Sequence, residues 1–430
     1  MRRAVLLIPL IAFTAQAQEA APDAALVREL LQRVERLEAE VQQLRARCAG
    51  AEPTSAALPA ALPPPAPREE LALAAPAQLA PEPLPAEQAL HVSRSPAGFP
   101  EMQLRGFSDV SYHSAHASNE TGATDGAGPH DEDSSFALGQ FNMFITSQLA
   151  DRLSILSEVV VDANSENRIA IDLERLFLQY AFNDYLNVSF GRYHTAIGWY
   201  NTAYHHAAWL QTATGRPRLF AFSGFLPIHE VGISSTGRIP SGSLGLRYLA
   251  EVGNGRRSRS TDDESVQNLR DENDHKAYNV GLFARPEWLP GFQAGFSYYA
   301  DELQPEGLPN IDESIYAAHA IYQAPNFEWL NEALLLRRTA DSGEDLPETR
   351  GAYTQVSRRF GAFRPYLRYE YLNQPEDDPV LPGEGRLHIP TLGIRWDFAE
   401  FAAFKLQYDR ILRRDEHDTN SFTTQLSFTF

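Results

Sequence analysis

The sequence has little cysteine, little lysine and few apolar runs. Its 430 residues include one cysteine, Cys48, which excludes a disulfide framework and a cysteine-based zinc site. Only Lys276 and Lys405 are lysine. The 56 acidic residues outnumber the 37 basic ones, and the net charge of −19 argues against a nucleic-acid partner. The one long apolar run, Ala4–Phe13, is about half the length of a membrane-spanning helix, which excludes an α-helical membrane protein.

The first residues have the pattern of a secretory signal. Arg2 and Arg3 precede the apolar run, and Ala15-Gln16-Ala17 forms a small-x-small cleavage site. We therefore expect a signal peptide over residues 1–17, with a short buried helix as the alternative. Cys48 lies too far beyond the cleavage site for a lipoprotein anchor there.

A heptad repeat follows the signal. Valine recurs at the a positions and leucine at the d positions, in the order Val27, Leu30, Val34, Leu37, Val41 and Leu44. The g and e positions carry opposite charges, which favours parallel self-association and predicts a coiled coil over residues 18–48. Cys48 would occupy the next a position, as an interchain disulfide or as a free thiol. Residues 49–100 hold 12 of the 29 prolines and are expected to form an extended linker.

From Gln103 onward, apolar and polar residues alternate with a period of two. The last segment is the clearest, because Phe422, Leu426, Phe428 and Phe430 share one face while polar residues form the other. Sixteen such segments can be delimited, the seventh over residues 242–253. Most are long for strands of a soluble sheet and suit strands that are tilted across a membrane.

The connections between these segments alternate in length. Long ones such as 114–135 and 194–228 are followed by short ones such as Ala150-Asp151 and Arg238–Ser241. This alternation is typical of barrels that have short turns on the periplasmic side and long loops outside. The predicted fold is all-β, a 16-stranded antiparallel transmembrane β-barrel over residues 101–430, preceded by the short α-helical coiled coil. A large soluble β-sandwich or propeller is the alternative.

Charged residues on the polar strand faces suggest two opposed walls in a water-filled lumen. The acidic wall comprises Glu158, Asp162, Asp172 and Glu174. The basic wall comprises Arg364, Arg368, Arg395 and Lys405, with Asp409 among them. Such walls would impose a transverse field on passing solutes. Chance clustering of ordinary polar lumen residues is the alternative.

The connection 194–228 is aromatic and rich in histidine, which suits a loop that folds inward and narrows the lumen. Its candidate lining residues are Tyr204, His205, Arg216 and Arg218. An outer loop in contact with a neighbouring subunit is the alternative. His194, His205, His206, His229 and Glu230 lack a helical i,i+4 pair or a cysteine partner, so no metal site is predicted. The sequence predicts no cofactor and no catalytic constellation.

The order of signal, coiled coil, proline-rich linker and barrel resembles trimeric outer-membrane porins, in particular the phosphate-selective O/P type and DcaP-like groups. Locally the resemblance rests on the Asn187–Arg192 strand and on Leu426–Phe430, in which Phe430 is similar to the recognition signal of the barrel-assembly machinery. Phosphate-selective members have lysine-rich pores, which this chain lacks, although arginine is also an anion ligand.

The resemblance implies a homotrimer in the outer membrane of a Gram-negative cell, with the coiled coil in the periplasm. Lipid, lipopolysaccharide and the assembly machinery are the expected partners. The expected function is passive diffusion of small hydrophilic or anionic solutes. The alternatives are a plugged barrel that tethers the outer membrane to the cell wall through its coiled coil, and an outer-membrane enzyme.

Overall fold

The computed structural model of the protein describes residues 102–116, 134–163, 169–204, 208–221, 225–257, 271, 273–305, 307–414 and 418–430. The predicted signal peptide, coiled coil and linker lie outside these residues, and so do Cys48, His205 and His206. Within the described residues, no helix is long and apolar enough to cross a membrane.

The strands of the described chain number sixteen, and short helical turns lie between some of them. Their bounds are β1 (Met102–His116), β2 (Ser135–Ala150), β3 (Leu153–Ala163), β4 (Ile169–Asn183), β5 (Leu186–His194), β6 (His229–Arg238), β7 (Leu246–Gly253), β8 (Ala277–Ala284), β9 (Phe292–Leu303), β10 (Ile311–Ala324), β11 (Phe327–Ala340), β12 (Thr349–Arg358), β13 (Phe363–Gln374), β14 (Gly385–Ala399), β15 (Ala402–Arg413) and β16 (Thr419–Thr429). The helical turns are α1 (Tyr200–Ala203) and two 3-10 turns, Arg218–Phe220 and Gly242–Leu244.

Each strand pairs with its sequence neighbours, and β1 pairs with β16 to close the barrel. At the seam Phe107 is opposite Thr429, and all pairs are antiparallel. The last residue completes the seam: the Phe430 amide donates to the Gly106 carbonyl at 3.0 Å, and the Gly106 amide donates back at 2.8 Å. The Phe430 ring covers Gly106, since a Cβ at Gly106 would lie 2.1 Å from that ring. The predicted 16-stranded barrel is confirmed.

Side chains alternate between the outer and inner surfaces of the barrel. On β13, Leu367 and Tyr369 are exposed, whereas Arg368 and Glu370 are buried. Exposed aromatic residues cluster beside the short connections, as in Phe182, Tyr185, Trp288, Phe360, Phe363, Phe398, Phe401 and Phe430. An apolar outer band with an aromatic girdle is the surface that membrane barrels present to lipid.

One predicted strand start is wrong. The seventh segment was expected from residue 242, but β7 begins at Leu246, because Gly242–Leu244 forms a 3-10 turn. Gly242 and Gly245 have φ of 56° and 63°, a left-handed conformation that glycine adopts without strain. The turn leaves a longer connection between β6 and β7 than the expected Arg238–Ser241.

Candidate functional site: the inner loop and the barrel wall

The connection between β5 and β6, residues 195–228, folds back into the barrel, and we call it the inner loop. Its apolar side chains pack with inward-facing residues of several strands into one buried cluster. Members of this cluster include Trp199, Tyr200, Phe220, Phe225, Leu226, Ile315, Leu330, Leu334, Tyr353 and Leu387. Because the strand members lie on the inner surface, the loop occupies part of the lumen.

Two glutamates on β11 hold the first half of the inner loop. Glu332 accepts hydrogen bonds from the amides of Trp199 and Tyr200 at 2.5 and 3.0 Å, at the start of α1. Glu328 accepts from the hydroxyl of Tyr204 at 3.1 Å. Burial raises the pKa of the Tyr204 hydroxyl well above its usual range, so this hydroxyl stays protonated and donates.

The predicted basic residues of β13 to β15 hold the second half of the loop. Arg395 Nη1 donates to the carbonyls of Trp209 and Gln211 at 2.5 and 2.8 Å. Lys405 Nζ donates to the Ala213 carbonyl at 2.9 Å, and its exposed fraction is 0%. These side chains therefore serve as buried anchors of the loop, and not as cations exposed in an open lumen.

The other two members of the predicted basic wall reach the same stretch of loop. Arg368 Nη1 donates to the Gly215 carbonyl at 2.8 Å. Arg364 Nη1 lies 3.4 Å from the Thr212 hydroxyl oxygen and remains half-buried. The basic set thus lines one side of the loop along several residues.

The predicted lining residues of the loop have different surroundings. Tyr204 and Arg216 are buried, and Arg216 donates to the Phe220 carbonyl at 2.6 Å and to Asn201 at 3.0 Å. Arg216 therefore braces the loop internally. Arg218 is half-buried, and its guanidinium lies 3.4 Å from Glu384. His205 lies outside the described residues.

The predicted acidic wall on β3 and β4 contains cations as well. Glu158 is buried and accepts from Arg175 Nε at 2.5 Å. Asp172 lies 3.6 Å from Arg192, and its side chain is 31% exposed. Glu174 is buried, while Asp162 on β3 is half-buried.

Both predicted walls therefore have groups of opposite sign beside them, and a field between the two walls remains a prediction. Opposite charges also stand beside the basic set, since Glu370 lies 2.8 Å from Arg368 and Asp397 lies 2.7 Å from Arg395. Buried charges are costly unless they are paired, which explains why each wall carries both signs. The half-buried members of the two sets are Asp162, Asp172, Arg364 and Asp409.

Sequence reasoning missed the acceptors on β11. Glu328 and Glu332 face inward together with Leu330, Leu334 and Leu336, all of which are buried. Leucines on the inner face of a strand need apolar cover on that side, which water in an open lumen does not supply. The available signal was thus the run of inner leucines on β11, which indicates that something packs inside the barrel there.

A second connection, residues 375–384 between β13 and β14, also turns inward. Val380 packs with Leu303 and Ile311 in a buried cluster. Arg338 on β11 is fully buried and contacts both Glu313, at 2.7 Å, and Asp378. This ion-paired cluster fixes the second connection against β9 to β11.

The barrel is similar to solved outer-membrane porins. The anion-selective porin from Comamonas acidovorans has a TM-score of 0.55 at 13% identity, over 77% of this chain and 100% of that chain. The outer membrane channel DcaP of Acinetobacter baumannii has a TM-score of 0.54 at 11% identity, over 79% and 99%. Salmonella typhi OmpF in complex with daunomycin has a TM-score of 0.52 at 11% identity, over 77% and 98%. No protein-family model and no curated protein sequence matches the chain.

These comparisons confirm the resemblance to porins as a likeness of fold. The neighbours share the closed β-barrel and cover more than three quarters of this chain. At such low identity a shared fold does not establish a shared solute or a shared set of pore residues.

Proposed function

We propose that the protein is an outer-membrane porin through which small hydrophilic or anionic solutes pass by passive diffusion. Its closed barrel has an apolar, aromatic-rich outer surface and inner-wall charged groups. A closed barrel leaves no strand edge exposed to lipid, and sixteen strands enclose a lumen wide enough for water. The anion selectivity of the Comamonas acidovorans neighbour is a property of that protein, and it supports the anionic part of this proposal.

The observation that carries the proposal is the anchoring of the inner loop from two parts of the wall. Glu328 and Glu332 hold its first half, and Arg395 and Lys405 hold its second half. A loop fixed at this many points narrows the lumen and leaves the barrel wall intact. The inner loop is thus the proposed constriction.

The solute path is bounded by the charged groups that keep some exposure. Asp162 and Asp172 are half-buried on β3 and β4, and Arg218 and Arg364 are half-buried on the loop and on β13. Carboxylates on one side and guanidinium groups on the other would create a transverse field that favours polar solutes. This reduced set replaces the two full walls expected from the sequence.

The proposed location is the outer membrane of a Gram-negative cell, as a homotrimer in contact with lipid and lipopolysaccharide. Residues 18–48 would form the periplasmic coiled coil that reinforces self-association. Phe430, which completes the barrel seam, is the proposed recognition signal for the barrel-assembly machinery.

Liposome swelling tests the proposal. Liposomes containing the refolded protein are diluted into isotonic solutions of sugars of increasing size, with heat-denatured protein as the control. Small sugars should cause swelling, and the rate should fall steeply with size because the inner loop narrows the path. The change in electrophoretic mobility on heating shows whether the barrel is folded. A folded barrel that admits no sugar would contradict the porin proposal and favour the plugged structural barrel.

A further inference from the structure

Two histidines and a glutamate converge where the inner loop joins the barrel. Glu174, His194 and His229 each offer one ligand atom, and these atoms all lie within 4.8 Å of one another. The exposed fractions of the three residues are 2%, 6% and 2%. The three side chains are therefore inside the protein. His194 and His229 flank the inner loop, and Glu174 lies on β4.

The sheet register brings the two histidines together. His194 is the last residue of β5 and His229 is the first residue of β6, and they form a direct cross-strand pair. Their rings are 5.3 Å apart between centroids. The whole inner loop separates the two histidines in the sequence, but the strands bring them together. The absence of a helical i,i+4 pair therefore does not exclude that both bind one metal ion.

A β-bulge turns Glu174 toward the histidines. On β3, Glu158 pairs with Arg175 and Val159 pairs with Leu173, so Glu174 is the extra residue of β4. Bulges re-aim side chains and recur beside functional sites. The neighbouring strand is also irregular, since Gly191 has φ of 141° and packs directly against the Leu176 carbonyl.

Charged and polar groups surround the three side chains. Glu158 accepts from Arg175 at 2.5 Å and from Asn142 at 2.6 Å. Asp172 is 3.6 Å from Arg192. Glu174 Oε2 contacts His229 Nε2. A buried ion pair between Glu174 and a protonated His229 is the competing explanation of this contact.

We propose that Glu174, His194 and His229 bind one divalent transition-metal ion of the zinc type. Two imidazole nitrogens with one carboxylate oxygen form a ligand set that suits zinc and its neighbours, whereas calcium and magnesium prefer oxygen ligands alone. Glu158 Oε2 lies 3.8 Å from His194 Nε2, beyond hydrogen-bond distance, and places a further carboxylate beside the set. A bound ion would join both ends of the inner loop to β4.

The role of the ion follows from the position of its ligands. Both ends of the proposed constriction would be tied to the wall at one point, in addition to the anchors on β11, β14 and β15. This role rests on the proposed porin function, but the binding site itself does not. Metal binding is measured without conductance, so failure of one proposal leaves the other testable.

The test uses the untagged full chain, refolded from denaturant and free of lipopolysaccharide, whose phosphates also attract divalent cations. After treatment with a chelator and its removal, the protein is titrated with Zn²⁺ by calorimetry and with Co²⁺ by visible absorption. We expect one ion per chain and the absorption bands of Co²⁺ bound to nitrogen. We also expect Zn²⁺ to raise the thermal midpoint, because an ion that binds the folded state alone stabilises it.

Ligand and control variants decide whether the site is the one proposed. Glu174→Gln, which keeps the shape of the side chain, and His229→Ala should each weaken Zn²⁺ binding by about a hundredfold or more, beyond the loss typical of residues that only hydrogen-bond to the ligands. His388→Ala is the matched control, since His388 shares its hydrogen bond with Tyr369 on the distant β13. This variant should bind Zn²⁺ as the unmodified protein does.

Two results would overturn the proposal. One is an unmodified, folded barrel that binds neither Zn²⁺ nor Co²⁺ more tightly than about millimolar, which would leave the buried ion pair as the explanation. The other is unchanged affinity in Glu174→Gln, which would assign the ion to other groups. If His229→Ala does not fold, Glu174→Gln and the Co²⁺ spectrum of the unmodified protein still give the answer.

Discussion

Substitution of Lys405 by methionine should loosen the inner loop without opening the barrel wall. Lys405 Nζ donates to the Ala208 and Ala213 carbonyls at 2.5 and 2.9 Å. A buried amine donates to a carbonyl with a net contribution of roughly 0.5–1.5 kcal/mol per hydrogen bond, so loss of both hydrogen bonds amounts to about 2 kcal/mol. Each 1.4 kcal/mol corresponds to about a factor of ten, so the population with a detached loop should rise roughly thirtyfold.

Single-channel recording in a planar bilayer measures this change. Lys405→Met should show frequent brief transitions to a higher conductance, because the lumen widens whenever the inner loop detaches from the barrel wall. Lys276→Met is the control, since Lys276 is the other lysine of the chain and lies outside the barrel strands beside Asp271. Records of Lys405→Met that match the unmodified protein, or an equal effect of Lys276→Met, would refute the anchoring role.

Four further substitutions test other parts of the structure. Glu332→Gln weakens the acceptor for the amides of α1 and should also increase the larger openings in bilayer records, whereas unchanged records would argue against this anchor. Gly106→Leu places a side chain where the Phe430 ring lies, so the folded fraction seen by electrophoretic shift should drop, and full folding yield would contradict the seam geometry. Asp172→Asn should move the reversal potential in a salt gradient toward anion preference and Arg364→Gln toward cation preference, and shifts in the same direction would exclude a transverse field.

The strand pattern could be predicted from the sequence because both signals behind it are local. Alternation with a period of two marks each strand, and the loop lengths mark which end of the barrel each connection occupies. The predicted start of the seventh strand is wrong because Gly242 and Gly245 allow a turn that the hydrophobic pattern alone does not reveal.

The interior could be predicted only in part, because it depends on contacts between distant residues. The basic residues Arg395 and Lys405 face inward as expected, but their partners are backbone carbonyls of the inner loop, which a side-chain pattern does not show. On β11 the leucines such as Leu330 alternate with the glutamates on the same face, so the sequence pattern did not show that the glutamates point inward. The sequence accordingly predicts lumen walls of one sign and does not show the ion pairs that several of these residues form.

The grouping of Glu174 with His194 and His229 could not be predicted from periodicity. A bulge on β4 shifts the alternation by one residue, so that Glu174 and Arg175 are both buried. A one-residue shift exchanges the faces of a strand, and no sequence signal marked this one. The pairing of His194 with His229 depends on the register across the inner loop.

Single-channel conductance of the unmodified, refolded barrel, with the reversal potential measured across a salt gradient, tests the central claim most directly. We predict stepwise openings of small amplitude, because the inner loop narrows an aqueous lumen, and a nonzero reversal potential, because charged groups line that lumen. Electrical silence from a barrel shown to be folded by its electrophoretic shift would contradict the diffusion-porin function.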